Sequence, residues 1–206
     1  MTHPPWNDRY VAGELPWDTG TPDPLLVGFV RTGAVTSGRA LDVGAGTGTN
    51  ARWLAEQGFD VLGVDIAPRA VELARARLTG AVAARCRFEA ADFLAEPPAG
   101  PFAFVFDRGC FHVFDEANDR ARFAANVARV LAPGGMWLSL IGSTEGPPRD
   151  VGPPRRSARD VMAAIEPVLA IHELAAVEFG DGSPPAAAWR CVARPRAVPA
   201  QSSTRR

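Results

Sequence analysis

A run of glycines follows a short apolar stretch near residue 40: Asp42-Val43-Gly44-Ala45-Gly46-Thr47-Gly48. Glycines at this spacing let a backbone come close to a ligand. Where such a loop opens a helix, its N–H groups face that ligand. Asp42 adds a carboxylate two residues before the first glycine. That charge repels a pyrophosphate and attracts an ammonium. Two more aspartates end apolar stretches downstream, Asp65 after DVLGV and Asp92 just before Phe93. Asp65 follows Gly44 by 21 residues (65 − 44), where an acidic side chain can accept both ribose hydroxyls. Asp92 can take an adenine amino group, and Phe93 can offer the ring an aromatic edge.

The dinucleotide fingerprint is G-x-G-x-x-G. Here the third glycine comes one residue early, and Thr49 stands in the dinucleotide position. Together with Asp42 this disfavours a nicotinamide oxidoreductase. The set suits a nucleoside that carries an ammonium and no phosphate, as S-adenosyl-L-methionine does.

A second cluster follows the fourth apolar stretch: Asp107-Arg108-Gly109-Cys110-Phe111-His112. Arg108 can steer an anionic or electron-rich substrate. It can equally close a salt bridge to Asp107 or Glu116. His112 is expected near the pocket mouth, either as a base that deprotonates a substrate or as a structural histidine. Cys110 reads as a packed small residue. Phe111 and Phe114 either wall a pocket or fill the core. His3 and His172 are peripheral, one in a tail and one in a late strand.

The elements that must position these groups alternate. Strands are expected at 39–43, 60–64, 84–89, 103–106 and 136–141. Helices are expected at 24–32, 50–57, 68–78, 117–131 and 157–169. Two final strands, 171–179 and 187–193, follow each other directly. Strand–helix alternation implies a parallel sheet with helices on both faces. Two strands with no helix between them require one antiparallel member.

The chain has 206 residues, 47% of them hydrophobic and 22% charged, with a formal net charge of −1. That is a globular composition sized for one α/β domain. It offers no basic tract for nucleic acid and no surface charge for an acidic membrane. Every basic residue apart from histidine is arginine, so a lysine Schiff base is excluded. Cys86, Cys110 and Cys191 have no disulfide or metal-ligand spacing, so no metal is expected. The N-terminus lacks a signal pattern, and no apolar run reaches membrane-spanning length. The expectation is a cytoplasmic monomer acting on a small molecule.

Asp42 to Gly48, Asp65 and Asp92, with Leu131-Ala-Pro-Gly-Gly135, resemble in order the motifs of the class I S-adenosylmethionine-dependent methyltransferases. The resemblance implies the Rossmann-like α/β fold: a mostly parallel seven-stranded sheet with one antiparallel strand and helices on both faces. The segment from Trp6 to Pro22, with its Leu-Pro16-Trp17-Asp18, resembles the thiopurine methyltransferase and halide–thiol methyltransferase group. By that likeness residues 1–24 close over the cofactor, 25–194 form the catalytic domain and 195–206 are a disordered tail. The segment is expected to be mobile when empty and to close on the cofactor.

The same likeness makes Trp6, Tyr10 and Trp17 aromatic contacts to the cofactor, although Tyr10 stands where the plant enzymes usually carry Trp. Aromatic faces do attract a sulfonium. Asp107 is counted with the cofactor-binding residues. Asp107-Arg108-Gly109 resembles the thiopurine enzymes, in which the arginine lies at the acceptor site. The plant enzymes carry Tyr there. The acceptor is then a thiol, bisulfide, thiopurine or halide. The alternatives are nitrogen or oxygen of a small heteroaromatic metabolite, or a non-catalytic cofactor-binding protein. A soft anionic acceptor needs no base, because the chemistry is an in-line displacement.

Overall fold

A computed structural model describes residues 5–147, 152–180 and 185–196. His3, the expected turn residues 181–184 and the tail beyond 196 lie outside the described residues. So do Pro148 to Val151 of the loop before the last helix.

The chain begins with a short helix α1 (Trp6–Ala12), closed by Gly13 in the left-handed region. Helix α2 (Pro24–Arg31) starts at Asp23, whose side chain accepts from Leu25 N, and Pro24 fits the first turn. The alternation then runs β1 (Arg39–Val43), α3 (Thr49–Glu56), β2 (Asp60–Asp65), α4 (Pro68–Ala76), β3 (Cys86–Ala90), β4 (Phe102–Arg108), α5 (Ala117–Val130), β5 (Leu131–Gly142), α6 (Ala158–Ile165), β6 (Ala170–Phe179) and β7 (Ala186–Arg194). Short 3-10 turns at Gly80–Ala84 and Phe111–Val113 fill two connections.

The seven strands form one sheet in the order β3-β2-β1-β4-β5-β7-β6. The β1, β2, β3, β4 and β5 pairings are parallel, and β7 runs antiparallel between β5 and β6. One antiparallel strand is what the missing crossover between the last two strands requires. Side-chain alternation divides the core in two. Leu41, Val105 and Trp137 face a layer that includes Phe123 of α5 and Val161 of α6. Ala40, Phe104 and Leu138 face a layer with Leu26 of α2, Leu54 of α3 and Val71 of α4.

Most boundaries shift by a residue or two from the sequence expectation, and three shifts have a structural reason. β5 begins at Leu131, not Met136, because Leu131 pairs with Phe102 before the pairing jumps to Phe104–Met136. The Pro133-Gly134-Gly135 run is therefore a bulge inside a strand and not only a helix stop. β3 begins at Cys86, because Gly80–Ala84 coil into a 3-10 turn. α6 ends at Ile165, four residues before the expected Leu169. Its start is as expected, with Ser157 and Asp160 forming a capping box.

Candidate active site

The sheet order reverses between β1 and β4, so their connections leave in opposite directions and open a crevice beyond the strand ends. A cavity of about 800 Å³ lies there. The glycine loop after β1, the ends of β2 and β4, the turn after β3 and the N-terminal segment all contribute to its wall.

The loop is fixed from β2. Gly44 N and Ala45 N both donate to Val64 O, at 2.9 and 3.0 Å. Asp65 Oδ2 accepts from Gly46 N at 2.8 Å, and its Oδ1 accepts from Ala67 N at 2.9 Å. Asp65 thus ties the loop to the start of α4, and each oxygen keeps a second lone pair. Burial raises its pKa, against the pull of these N–H groups.

Asp42 is 2% exposed and lines the cavity. Its Oδ2 is buried and makes no hydrogen bond. Burial first, then the charges of Asp107 and Asp65, push its pKa up to about 8. A carboxylate oxygen left unpartnered there carries a desolvation penalty, which a cationic ligand relieves.

Gly46 lies under Tyr10: a Cβ on it would meet the phenol oxygen at 2.9 Å. Trp17 Nε1 donates to that oxygen at 3.3 Å, and Trp6 packs edge-on against Trp17 at 5.7 Å between ring centroids. All three aromatics line the cavity. α1 lies on α4, where Asn7 Oδ1 accepts from Arg69 N at 2.9 Å in the first turn. Asp92 and Phe93 reach the wall as well. Asp92 Oδ1 also accepts from Leu94 N at 2.9 Å, which shapes the turn after β3.

Two expected cofactor residues do not line the cavity. A Cβ on Gly48 would meet the Phe88 ring at 2.4 Å, so this glycine serves the packing of α3 against β3. Asp107 is fully buried: Oδ1 accepts from Phe111 N at 3.0 Å and Oδ2 from Trp137 Nε1 at 2.9 Å. It holds the turn after β4 to β5. Burial raises its pKa to about 6, a rise its N–H donors limit.

Arg108 lines the cavity, but its ion pair is with neither Asp107 nor Glu116. Nε donates to Asp23 Oδ2 at 2.5 Å. His112 also lines the cavity, yet it is only 4% exposed, with Nδ1 accepting from Gly142 N at 2.7 Å. Phe111 is core, packed against Phe123 and Trp137, while Phe114 reaches the cavity. Cys110 sits against Gly44, where a Cβ would come within 3.0 Å of its own. Its thiol is held well above the usual range by burial and nearby carboxylates.

Sequence reasoning passed over two residues, Asp18 and Asp23. Asp18 Oδ2 accepts from Thr47 Oγ1 at 2.8 Å and meets Arg77 at 3.4 Å. It fastens the N-terminal segment to the glycine loop and to the end of α4. Asp23 was readable as a helix cap before Pro24, but its partner Arg108 lies 85 residues away.

Among the described residues no group of His, Cys, Asp and Glu is arranged to hold a metal ion, and no helix is long and apolar enough to cross a membrane.

Residues 40–135 match a family described as a methyltransferase domain. The chain is 34% identical over 151 residues to a probable thiol methyltransferase 2 of Arabidopsis thaliana, a match spanning 71% of this chain and 66% of that protein. It is 30% identical to thiocyanate methyltransferase 1 of Brassica oleracea, over 80% of this chain and 70% of that one. A 2-heptyl-1-hydroxyquinolin-4(1H)-one methyltransferase of Mycobacteroides abscessus is 27% identical, over 84% and 77%. A solved structure from work on the conversion of a disulfide bond into a thioacetal group during echinomycin biosynthesis superposes with a TM-score of 0.74 at 27% identity, covering 87% of this chain and 84% of that one.

The fold and crevice are those of a class I methyltransferase. This chain belongs to the S-adenosyl-L-methionine-dependent methyltransferases and resembles the thiol methyltransferases among them. The residues present fit that cofactor: an unpartnered buried carboxylate oxygen awaits a cation, and the loop beside it carries no side chain larger than Thr47.

Proposed function

We propose that this enzyme methylates a small soft nucleophile, a thiol above all, that reaches the site already ionised. The observation that carries this reading is the bond from Gly142 N to His112 Nδ1. With Nδ1 occupied as an acceptor, the neutral imidazole holds its proton on Nε2. His112 then has no nitrogen ready to take a substrate proton without breaking that bond. No other histidine lines the cavity among the described residues. The thiol and thiocyanate methyltransferases among its relatives support the same acceptor class.

In this reading Asp42 holds the amino group of S-adenosyl-L-methionine. Asp65 accepts from the ribose hydroxyls with its remaining lone pairs. Asp92 and Phe93 flank the adenine, and the Gly44–Gly46 backbone lies along the ligand. Trp6, Tyr10 and Trp17 cover it and keep water from the reacting centre. When bound, the cofactor supplies a methyl group activated by its sulfonium leaving group. The chain's part is to align, desolvate and shield.

A second reading is a nitrogen or oxygen acceptor on a small heteroaromatic compound. The hydroxyquinolone methyltransferase relative favours it, as does a cavity roomier than a halide needs.

The test is S-adenosyl-L-homocysteine release with iodide, bisulfide, an aromatic thiol, a thiopurine, a phenol and a heteroaromatic amine. Turnover confined to iodide and the sulfur acceptors is the expected result. Turnover confined to the phenol or amine overturns the soft-nucleophile reading and establishes the second one.

A further inference from the structure

Arg108, the last residue of β4, lines the cavity, and its side chain is 22% exposed. An arginine is flexible, and this one shares its cavity with the carboxylates of Asp42, Asp65 and Asp92. Left loose, it would be drawn toward those charges. Two contacts prevent this. Asp23, whose side chain is 3% exposed, takes the Nε edge of the guanidinium. Phe179 lies against its face, with Cζ 5.0 Å from the ring centroid. Asp23 is itself held at two points: Oδ1 caps α2 through Leu25 N, and its backbone N donates to Asn50 Oδ1 on α3 at 2.9 Å. Nη1 and Nη2 of Arg108 make no hydrogen bond among the described residues.

From this geometry we propose that Asp23 is a positioning residue for methyl transfer. It grips Arg108 by Nε on the Phe179 face, and so keeps both terminal amino groups for an anionic acceptor and away from the carboxylates of Asp42, Asp65 and Asp92. This rests on the anionic-acceptor reading above. One aspartate thereby serves two ends: one oxygen builds a helix and the other aims a cation. A planar guanidinium suits the task, because Nε and the Nη pair lie on separate edges.

The experiment separates the two oxygens. In Asp23→Asn the amide oxygen can still cap α2, but its NH₂ meets Arg108 Nε donor to donor. Nε–H resonances of ¹⁵N-arginine-labelled enzyme, with Arg108 assigned by its loss in Arg108→Lys, report the grip without any acceptor. We expect a slowly exchanging Arg108 signal that collapses in Asp23→Asn and persists in Asp23→Glu. An unchanged signal in Asp23→Asn overturns the proposal whatever the acceptor proves to be.

Kinetics then test the purpose, using the best acceptor of the panel. Asp23→Asn should raise the acceptor KM about tenfold and move kcat and the S-adenosyl-L-homocysteine Kd less than about threefold, with the midpoint of thermal unfolding little changed. In an Arg108→Met background the same substitution should add nothing to KM. Additive effects in the double variant would make Asp23 merely structural and overturn the proposal. If only neutral acceptors turn over, the anionic-acceptor reading fails, while the NMR result still decides the grip.

Discussion

The backbone N–H of Gly142 donates to Nδ1 of His112 at 2.7 Å, joining the last residue of β5 to the 3-10 turn after β4. The contact is tight: a Cβ on Gly142 would come within 3.3 Å of that nitrogen. Proton transfer to Nδ1 would displace this N–H. His112→Ala should therefore destabilise the fold by roughly 1–3 kcal/mol, the usual consequence of orphaning a buried donor. The kcat/KM–pH profile with a thiol should keep its inflection at the acceptor's own ionisation. Urea unfolding and the pH profile check the two halves. A second acid-side inflection in the wild type that disappears in the variant would restore His112 as the base.

Asp42 makes folding of the ligand-free protein pH-dependent in a defined direction. Its folded pKa is raised to about 8, from an ordinary value of 3.8. Between those values the folded state keeps a proton that the unfolded state has lost. Stability from this group is full below about pH 4 and is lost as pH rises toward 8. Asp42→Asn removes that slope. The variant should melt higher than wild type without ligand, by a margin that widens from pH 5 to pH 8. The same change should weaken S-adenosyl-L-homocysteine binding about ten- to a hundredfold, the range for losing a charge-assisted hydrogen bond. Thermal scans and calorimetry across that pH range read both effects.

Gly46 and Gly48 should part company on mutation. Gly48→Ala drives a methyl into Phe88, two elements away in the core, in a backbone with φ of 81°. We expect a loss of about 1–3 kcal/mol in urea unfolding, as for other overpacked cores. Gly46→Ala meets only the Tyr10 phenol, at the cavity. Its main effect should be weaker cofactor binding, at least fivefold, measured by titration with S-adenosyl-L-homocysteine.

Asp18 couples the N-terminal segment to the glycine loop through Thr47 and Arg77. Asp18→Ala should loosen that segment. Limited proteolysis should cut residues 5–24 faster in the variant, and cofactor affinity should drop about three- to tenfold. Saturating S-adenosyl-L-homocysteine should protect the wild-type segment. Equal cleavage with and without ligand would argue against closure on the cofactor.

Regular structure was legible because local signals agreed with tertiary demands. The strand and helix alternation, the start of α2 at Pro24 and the start of α6 after Ser157 all read correctly along the chain. That Asp42, Asp65 and Asp92 meet at one cavity was legible too, since they lie at the ends of consecutive strands or just beyond. What failed needed knowledge of distant neighbours. Gly48 was read as ligand-facing because the sequence does not say that Phe88 lies against it. Asp107 was read as a binding residue because nothing local reveals the Trp137 indole that takes its second oxygen. The partner of Arg108 was sought nearby and lies across the sheet end, on the cap of α2.

The crevice divides along the chain. Asp42, Asp65, Asp92 and the aromatic cover all precede residue 94, whereas Arg108, Phe114, Pro154 and Phe179 come after residue 107. The two walls belong to opposite flanks of the strand reversal, β1 to β3 on one side and β4 to β7 on the other. In the proposed reading, substitutions in the second half of the chain can change what is methylated while leaving the methyl-donor residues untouched. Asp23 on the first side grips Arg108 on the second, so a laboratory library crossed between β3 and β4 should keep activity only where that pair is inherited together.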